Sequence, residues 1–290
     1  MAIEVTHITD PGCPWAYSAR PAHTVLRWRY GDALRWRFAF IGLTEQADQY
    51  VRRGYTPARS AQGYAARFRC YGMPFATQPR PRVCATGRAC RALVAVRVID
   101  PEREEQAFRA LQHAWFTTPL VLDEDPAIAE ALEHVPGLDV AAVLDAIGDE
   151  EVERRYQDDR AEARSAEGGP TELQGKTAQT DGPVRYTAPS LIFAEDGRRL
   201  EAGGFQPVEA YDVVVANLDP GIARREPPDH ALDVLRAFPY GLTTQEVAAV
   251  MTRGNDAPDR LAAEAQLIDA VADGNAVRDQ LGDDALWTAA

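Results

Sequence analysis

Hydrophobic and polar positions alternate most cleanly between Leu34 and Phe40, where Leu34, Trp36, Phe38 and Phe40 are separated by Arg35, Arg37 and Ala39. A period of two puts one set of side chains on one face, so the segment predicts a strand. Upstream, Ile3–Ile8 reads as a shorter strand. Between the two, Trp15, Ser18, Ala19, Ala22, Val25 and Leu26 recur at helical spacing, predicting a helix from Pro14 to about Tyr30 that Gly31 and Asp32 end. The first 42 residues therefore read strand, Cys-Pro turn, helix, strand.

From about 45 to 167 no strand is predicted. Ala89, Leu93, Val96 and Ile99 mark one helix, and Ala107, Phe108, Leu111, Ala114 and Trp115 mark another. Val140, Val143, Leu144 and Ile147 fit the i, i+3, i+4, i+7 template. The charge-laced run 150–167 predicts a solvated helix. A glycine-rich loop follows at 168–186. Pro189–Phe193 and Arg199–Phe205 then read as paired strands around the Glu195-Asp-Gly197 turn, and Pro207 opens a helix through Leu218.

The prolines of 219–228 predict a linker. After it come a helix at 230–238 and a helix at 244–251 behind the capping box Thr243-Thr-Gln-Glu246. A longer helix opens at Asp256-Ala-Pro258 and runs to about Asp273. Two apolar runs around Leu281-Gly-Asp-Asp284 complete the order of a winged helix. The fold class expected is α/β. It consists of a thioredoxin-like core with a mixed sheet (1–44 and 168–218), an all-helical insertion (45–167) and a small, acidic, winged-helix-like domain (219–290).

Charge narrows the partners. The chain of 290 residues carries a net −13, and of its 31 basic residues only Lys176 is a lysine. Residues 219–290 hold six arginines against thirteen acids, and the helix that would enter a DNA groove carries Asp259, Glu264 and Asp269. Phosphate attraction needs the opposite sign, so nucleic acid is not an expected partner. No run is long and apolar enough to span a membrane, and the N-terminus has no basic leader; a cytoplasmic protein is expected. The four cysteines, Cys13, Cys70, Cys84 and Cys90, show no zinc spacing, and no nucleotide motif is present. No tightly bound cofactor and no metal are expected.

Cys13 stands where chemistry is easiest. A thiol at a helix N-terminus meets unpaired N–H groups and the positive end of the helix dipole; both favour thiolate, the nucleophile of disulfide exchange. The pKa expected on that ground lies below that of a free thiol. Cys70, Cys84 and Cys90 read as structural, with Cys90 one position off its helix's apolar stripe.

Asp10-Pro-Gly-Cys13-Pro14-Trp15-Ala16-Tyr17, following a short strand, resembles the active-site turn of DsbA-like thioredoxin-fold proteins. The likeness is to the branch of FrnE-like oxidoreductases and 2-hydroxychromene-2-carboxylate isomerases. Thr187-Ala188-Pro189-Ser190 resembles that family's cis-proline loop. The resemblance spans about residues 3–218. It implies Cys13 as nucleophile, with Pro14, Trp15, Thr187, Ala188 and Pro189 binding substrate. It also implies a protein disulfide or a small thiol as partner. The family oxidoreductases carry Cys-Pro-Trp-Cys, whereas the fourth position here is Ala16. Without a resolving thiol there, a mixed disulfide at Cys13 needs an external thiol, such as glutathione or mycothiol as co-substrate, or another protein cysteine to release it; loss of dithiol chemistry is the other reading of Ala16.

Asp10 and Lys176 are further candidates, the first to tune Cys13 or start its helix, the second to hold a carboxylate of a small thiol. The leading expectation is a cytosolic thiol oxidoreductase with a single active-site cysteine. The alternatives are a thiol-dependent isomerase or transferase and a non-catalytic thioredoxin-fold binding module. The C-terminal domain is expected to serve docking or homodimerisation.

Overall fold

The structure, a computed structural model, describes residues 2–290. Its central sheet has four strands in the order Leu34–Phe40, Ile3–Thr9, Ser190–Glu195, Arg198–Ala202. Ile3–Thr9 runs parallel to Leu34–Phe40 and antiparallel to Ser190–Glu195, so the sheet is mixed. Because that strand is covered on both faces, nearly all of it is buried, the polar Thr6, His7 and Thr9 included. Ile3 and Val5 pack with Leu26, Tyr30, Tyr211 and Val215, while Ile8 packs with Cys13, Ala188 and Ile192.

The helix expected from Pro14 to Tyr30 is two helices, Pro14–Ser18 and Arg20–Tyr30. Pro21 explains the break at Ala19: it has no N–H to donate back to Tyr17. The insertion is helical as far as Ala163, with its main helices at Gly87–Ile99, Glu104–Thr117, Asp125–Leu132, Val140–Ala146 and Glu150–Ala163. Phe38 and Phe40 of the second strand enter its core beside Phe108 and Leu111. The Glu150–Ala163 helix is not solvated all round: Val152, Tyr156, Asp159 and Ala163 are buried on one face. Its stripe escaped detection because one member is an aspartate, neutralised by Arg97 at 2.9 Å. The loop expected at 168–186 contains the short pair Thr177–Ala178 and Arg185–Tyr186.

Beyond residue 219 lie helices Ala231–Ala237, Thr244–Met251 and Arg260–Ala272, then the hairpin Ala276–Leu281 and Asp284–Ala289. The third helix starts at Arg260 rather than Asp256, because the Asp259 carboxylate caps it by accepting the Ala262 N–H at 3.0 Å. Thr243 and Glu246 form the reciprocal capping box.

This unit is seated on its own chain. Val25 and Trp28, on the helix that follows the cysteine turn, share a core with Val234, Leu235, Val247 and Trp287. Beneath them, Glu246 receives Arg109 at 2.6 Å and Thr24 Oγ1 at 3.0 Å, and Arg109 also donates to the Gly241 carbonyl at 2.9 Å. Arg20 donates to Gln112 at 2.8 Å and Glu105 at 3.0 Å. Burial alone would raise the Glu246 carboxyl, but Arg109 and Arg20 outweigh it and hold the group far below the usual carboxylate range. Among the described residues no helix is long and apolar enough to cross a membrane.

Candidate active site

Asp10 organises the turn after the first strand. Its Oδ1 accepts the Gly12 N–H at 2.9 Å and its carbonyl accepts the Cys13 N–H at 3.1 Å. Its Oδ2 accepts Leu43 N–H at 2.8 Å and Thr86 Oγ1 at 3.0 Å, with Cys90 Sγ at 3.6 Å. One carboxylate thus ties the cysteine turn to the loop after the second strand and to the start of the Gly87–Ile99 helix. Burial raises its pKa, opposed by the Leu43 and Gly12 N–H groups. Thr86 and Trp115 close the turn from outside, since a Cβ on Gly12 would lie 2.6 Å from the Thr86 methyl and 2.8 Å from the Trp115 ring.

Cys13 is the N-cap of the Pro14–Ser18 helix, with Pro14 at its first position. The Ala188–Pro189 peptide is cis, and Cys13 Sγ donates to the Ala188 carbonyl at 3.4 Å. Cys13 is 6% exposed. Thr187, half-buried, is engaged by the Lys176 carbonyl, which accepts its N–H at 3.3 Å and its hydroxyl at 2.9 Å. Cys13, Ala188 and Pro189 therefore meet, with Pro14 and Trp15 beside them on the pocket wall.

The expected depression of the Cys13 pKa is not found. Burial pushes the thiol up to about 12; the Ala16 N–H opposes, the Asp10 charge pushes the same way as burial, and the Trp15 N–H and Arg185 oppose more weakly. The helix-terminus effect has the expected sign, but five residues make a short dipole, and loss of water around the sulfur costs a thiolate more. Cys13 is held as a thiol donating to Ala188.

Ala16 is fully buried at the fourth position of the turn. All four cysteines are free: Cys70 is exposed, whereas Cys84 and Cys90 are buried. Cys90 is part of the core despite its place off the stripe, because the insertion surrounds its helix on nearly every side. Burial raises both buried thiols, Cys84 to about 12. No cluster among the described residues has the make-up of a metal site.

A cavity of about 620 Å³ opens over Gly12, Pro14 and Trp15. Cys84 and Trp115 are on its wall, as are Tyr50, Tyr55 and Tyr64. Trp15, 41% exposed, packs edge-on against Phe68, Tyr71 and Phe205 at ring separations of 4.9–5.8 Å. Lys176 is not on the cavity wall; its side-chain stem lies against Gly203 and Gly204. The positive charge there comes instead from Arg53, Arg59, Arg67, Arg80, Arg82 and Arg185. Sequence reading passed over these arginines because they come from separate segments with no shared spacing.

No protein-family model and no curated protein matches the chain. Solved structures do match. A putative protein disulfide isomerase from Nitrosomonas europaea is 18% identical, over 75% of this chain and 97% of its own, with a TM-score of 0.53. The cytosolic disulfide reductase DsbM from Pseudomonas aeruginosa is 17% identical over 75% of this chain and 100% of its own, with a TM-score of 0.52. A probable DsbA oxidoreductase from Streptomyces coelicolor is 16% identical over 78% of this chain and 93% of its own, with a TM-score of 0.53.

The fold is thioredoxin-like. At these identities the likeness is one of architecture: a mixed sheet and surrounding helices of the DsbA type. Within such a core, Cys13 caps the helix after the first strand, and cis-Pro189 opens the third strand facing it.

Proposed function

We propose that the chain is a thiol oxidoreductase that works through Cys13 alone, with a low-molecular-weight thiol such as glutathione or mycothiol completing the cycle. One observation carries the reading: the Cys13 sulfur lies at a helix N-terminus, 3.4 Å from the carbonyl that precedes cis-Pro189, and its chain neighbours Gly12 and Pro14 line an open cavity. Ala188 is the backbone edge that orients the substrate, with Pro14, Trp15, Thr187 and Pro189 around it. The P. aeruginosa disulfide reductase has been solved with glutathione, which agrees with a co-substrate of that kind.

With Ala16 in the turn, the cycle closes by exchange. Cys13 attacks a substrate disulfide and keeps one half as a mixed disulfide, and a free thiol then attacks that bond and releases Cys13. A strong oxidant of this fold gains its power from a stabilised thiolate in the reduced form. Burial removes that stabilisation here, favouring the direction in which Cys13 gives up electrons. Four unpaired cysteines suit a reducing compartment, so we place the protein in the cytoplasm. Residues 219–290 act as a winged-helix-like buttress for the helix behind Cys13.

The same buried thiol favours a second reading, a non-catalytic binding module that uses the cavity without exchange. Turnover separates the two. The full chain is mixed with a small disulfide and excess glutathione or mycothiol, and mixed-thiol release is followed. Oxidoreductase function predicts catalysis that Cys13→Ala abolishes. No rate above the uncatalysed exchange with either thiol contradicts it and leaves the binding module.

A further inference from the structure

Of the thirty arginines in the chain, twenty-one lie within 4 Å of a carboxylate among the described residues. Such pairing is ordinary where acids outnumber bases 44 to 31. Of the nine arginines left without a carboxylate, five line the cavity bordered by Gly12 and Pro14, the neighbours of Cys13: Arg53, Arg59, Arg67, Arg80 and Arg185. The oxygens they meet are neutral. Arg59 donates to the Gly54 carbonyl at 2.9 Å, Arg80 to the Leu120 carbonyl at 2.7 Å, Arg53 to the Thr180 carbonyl at 3.3 Å and Arg185 to the Tyr186 carbonyl at 2.9 Å. No aspartate or glutamate is on the cavity wall. The sixth arginine, Arg82, is matched by Asp123 and Glu124. In a protein of net charge −13, the turn that holds Cys13 thus faces several guanidinium groups with no carboxylate on the cavity wall, although Asp181 and buried Asp10 act on Arg185 from behind it.

A concave wall of one sign, with apolar rings between the charges, raises the local concentration of the opposite ion and strengthens its hydrogen bonds. A second hollow of about 390 Å³ gives the contrast: Arg29 and Arg224 share its wall with Glu209 and Asp212, so its positive and negative side chains balance in number. We propose that the substrate taken up beside Cys13 is a small disulfide of net negative charge that bears two or more anionic groups. This inference rests on the oxidoreductase reading and adds the substrate class to it. The acidic groups engage the unmatched arginines, the apolar body lies against Trp15, Tyr55 and Tyr64, and the disulfide reaches the sulfur below Gly12. In the exchange, a bond forms between Cys13 Sγ and one substrate sulfur as the substrate S–S bond breaks. The electron pair leaves on the other sulfur, which takes up a proton in place of the one Cys13 gives up. Cys13 is oxidised to the mixed disulfide and half of the substrate is released reduced, as an acidic thiol.

The test compares three disulfides that differ in charge: dithiodiglycolate (two carboxylates), bis(2-hydroxyethyl) disulfide (neutral) and cystamine (two ammoniums). The rate of mixed-disulfide formation at Cys13 of the full chain is divided, for each, by its rate with a neutral model thiol, which removes intrinsic reactivity. The expected order is dianion, neutral, dication, with about tenfold or more between the first two, the factor one charge-assisted contact supplies. That advantage shrinks with added salt, and in Arg53→Gln/Arg67→Gln the ratio of dianion to neutral falls towards one. A flat order, or a preference for cystamine, overturns the inference while leaving the oxidoreductase reading intact. If none of the three reacts at Cys13, calorimetry of Cys13→Ala with dithiodiglycolate and bis(2-hydroxyethyl) disulfide decides separately. Preferential binding of the dianion upholds the anionic class although the redox reading has failed, and equal or absent binding overturns both.

Discussion

Burial and a backbone carbonyl set the state of Cys13, with the Asp10 charge pushing the same way. Its hydrogen bond runs to Ala188, its nearest acid is Asp10, and burial outweighs the N–H groups of the short helix. The sign follows directly: a thiol whose folded pKa is raised stays protonated through neutral pH, so alkylation is slow there and quickens as the solution becomes alkaline. The rate at Cys13, read by peptide mapping because Cys70 is exposed and reacts as well, should show no plateau below about pH 8.5, the range of a free thiol. Asp10→Asn removes a charge that pushes the thiol up, so its rate profile should move to lower pH. An unmoved profile would mean that Asp10 acts only as the staple between Gly12, Leu43 and Thr86. At this scale the sequence located the sulfur and misjudged its protonation. The spacing of Cys13 and Pro14 announces a helix terminus, but burial depends on Thr86, Trp115 and Ala188, far apart in the chain.

Local periodicity predicted elements well where one face is apolar and poorly where polar side chains are buried. The strand at Leu34–Phe40, the helices at Gly87–Ile99 and Glu104–Thr117, and the capping box at Thr243 were all legible. The break at Ala19 was missed because the apolar spacing runs through it, although Pro21 signalled it. The buried face of Glu150–Ala163 was missed because Asp159 interrupts the stripe. The strongest buried polar contact joins two elements whose sequences give no hint of each other: Arg109 on Glu104–Thr117 and Glu246 on Thr244–Met251. A carboxylate whose folded pKa is depressed contributes stability above its unfolded pKa and loses it as the pH falls towards the folded value. Glu246 therefore supports the fold at neutral pH and progressively less below about pH 4.3, its ordinary value. Glu246→Gln should lower the unfolding free energy at pH 7 by about 3 kcal/mol, because Arg109 remains buried without its counter-charge while Arg20 keeps only Glu105. It should also flatten the acid limb of the stability curve. Denaturant unfolding at several pH values checks both, and an unchanged midpoint at neutral pH would refute the assignment.

Across the whole molecule, the order of elements was enough to read a thioredoxin-like core interrupted by helices, because short parallel and antiparallel strands around a Cys-Pro helix leave few other arrangements. The arginine cluster was not legible in this way: Arg53, Arg67, Arg80 and Arg185 converge only after the insertion folds over the cysteine turn. Nor was the seat of residues 219–290, whose core is completed by Val25 and Trp28 of the Arg20–Tyr30 helix. The chain surrounds one sulfur with a buried turn, an open basic cavity and a docked C-terminal unit. The claim that matters most is that this sulfur exchanges disulfides. Incubating the full chain with an excess of glutathione disulfide, quenching with acid and mapping the cysteine peptides tests it most directly. The account predicts a glutathionyl group on Cys13 under conditions that leave the fully buried Cys90 unmodified, with none on the corresponding peptide of Cys13→Ala. Modification confined to exposed Cys70, with Cys13 recovered as a free thiol, would contradict it.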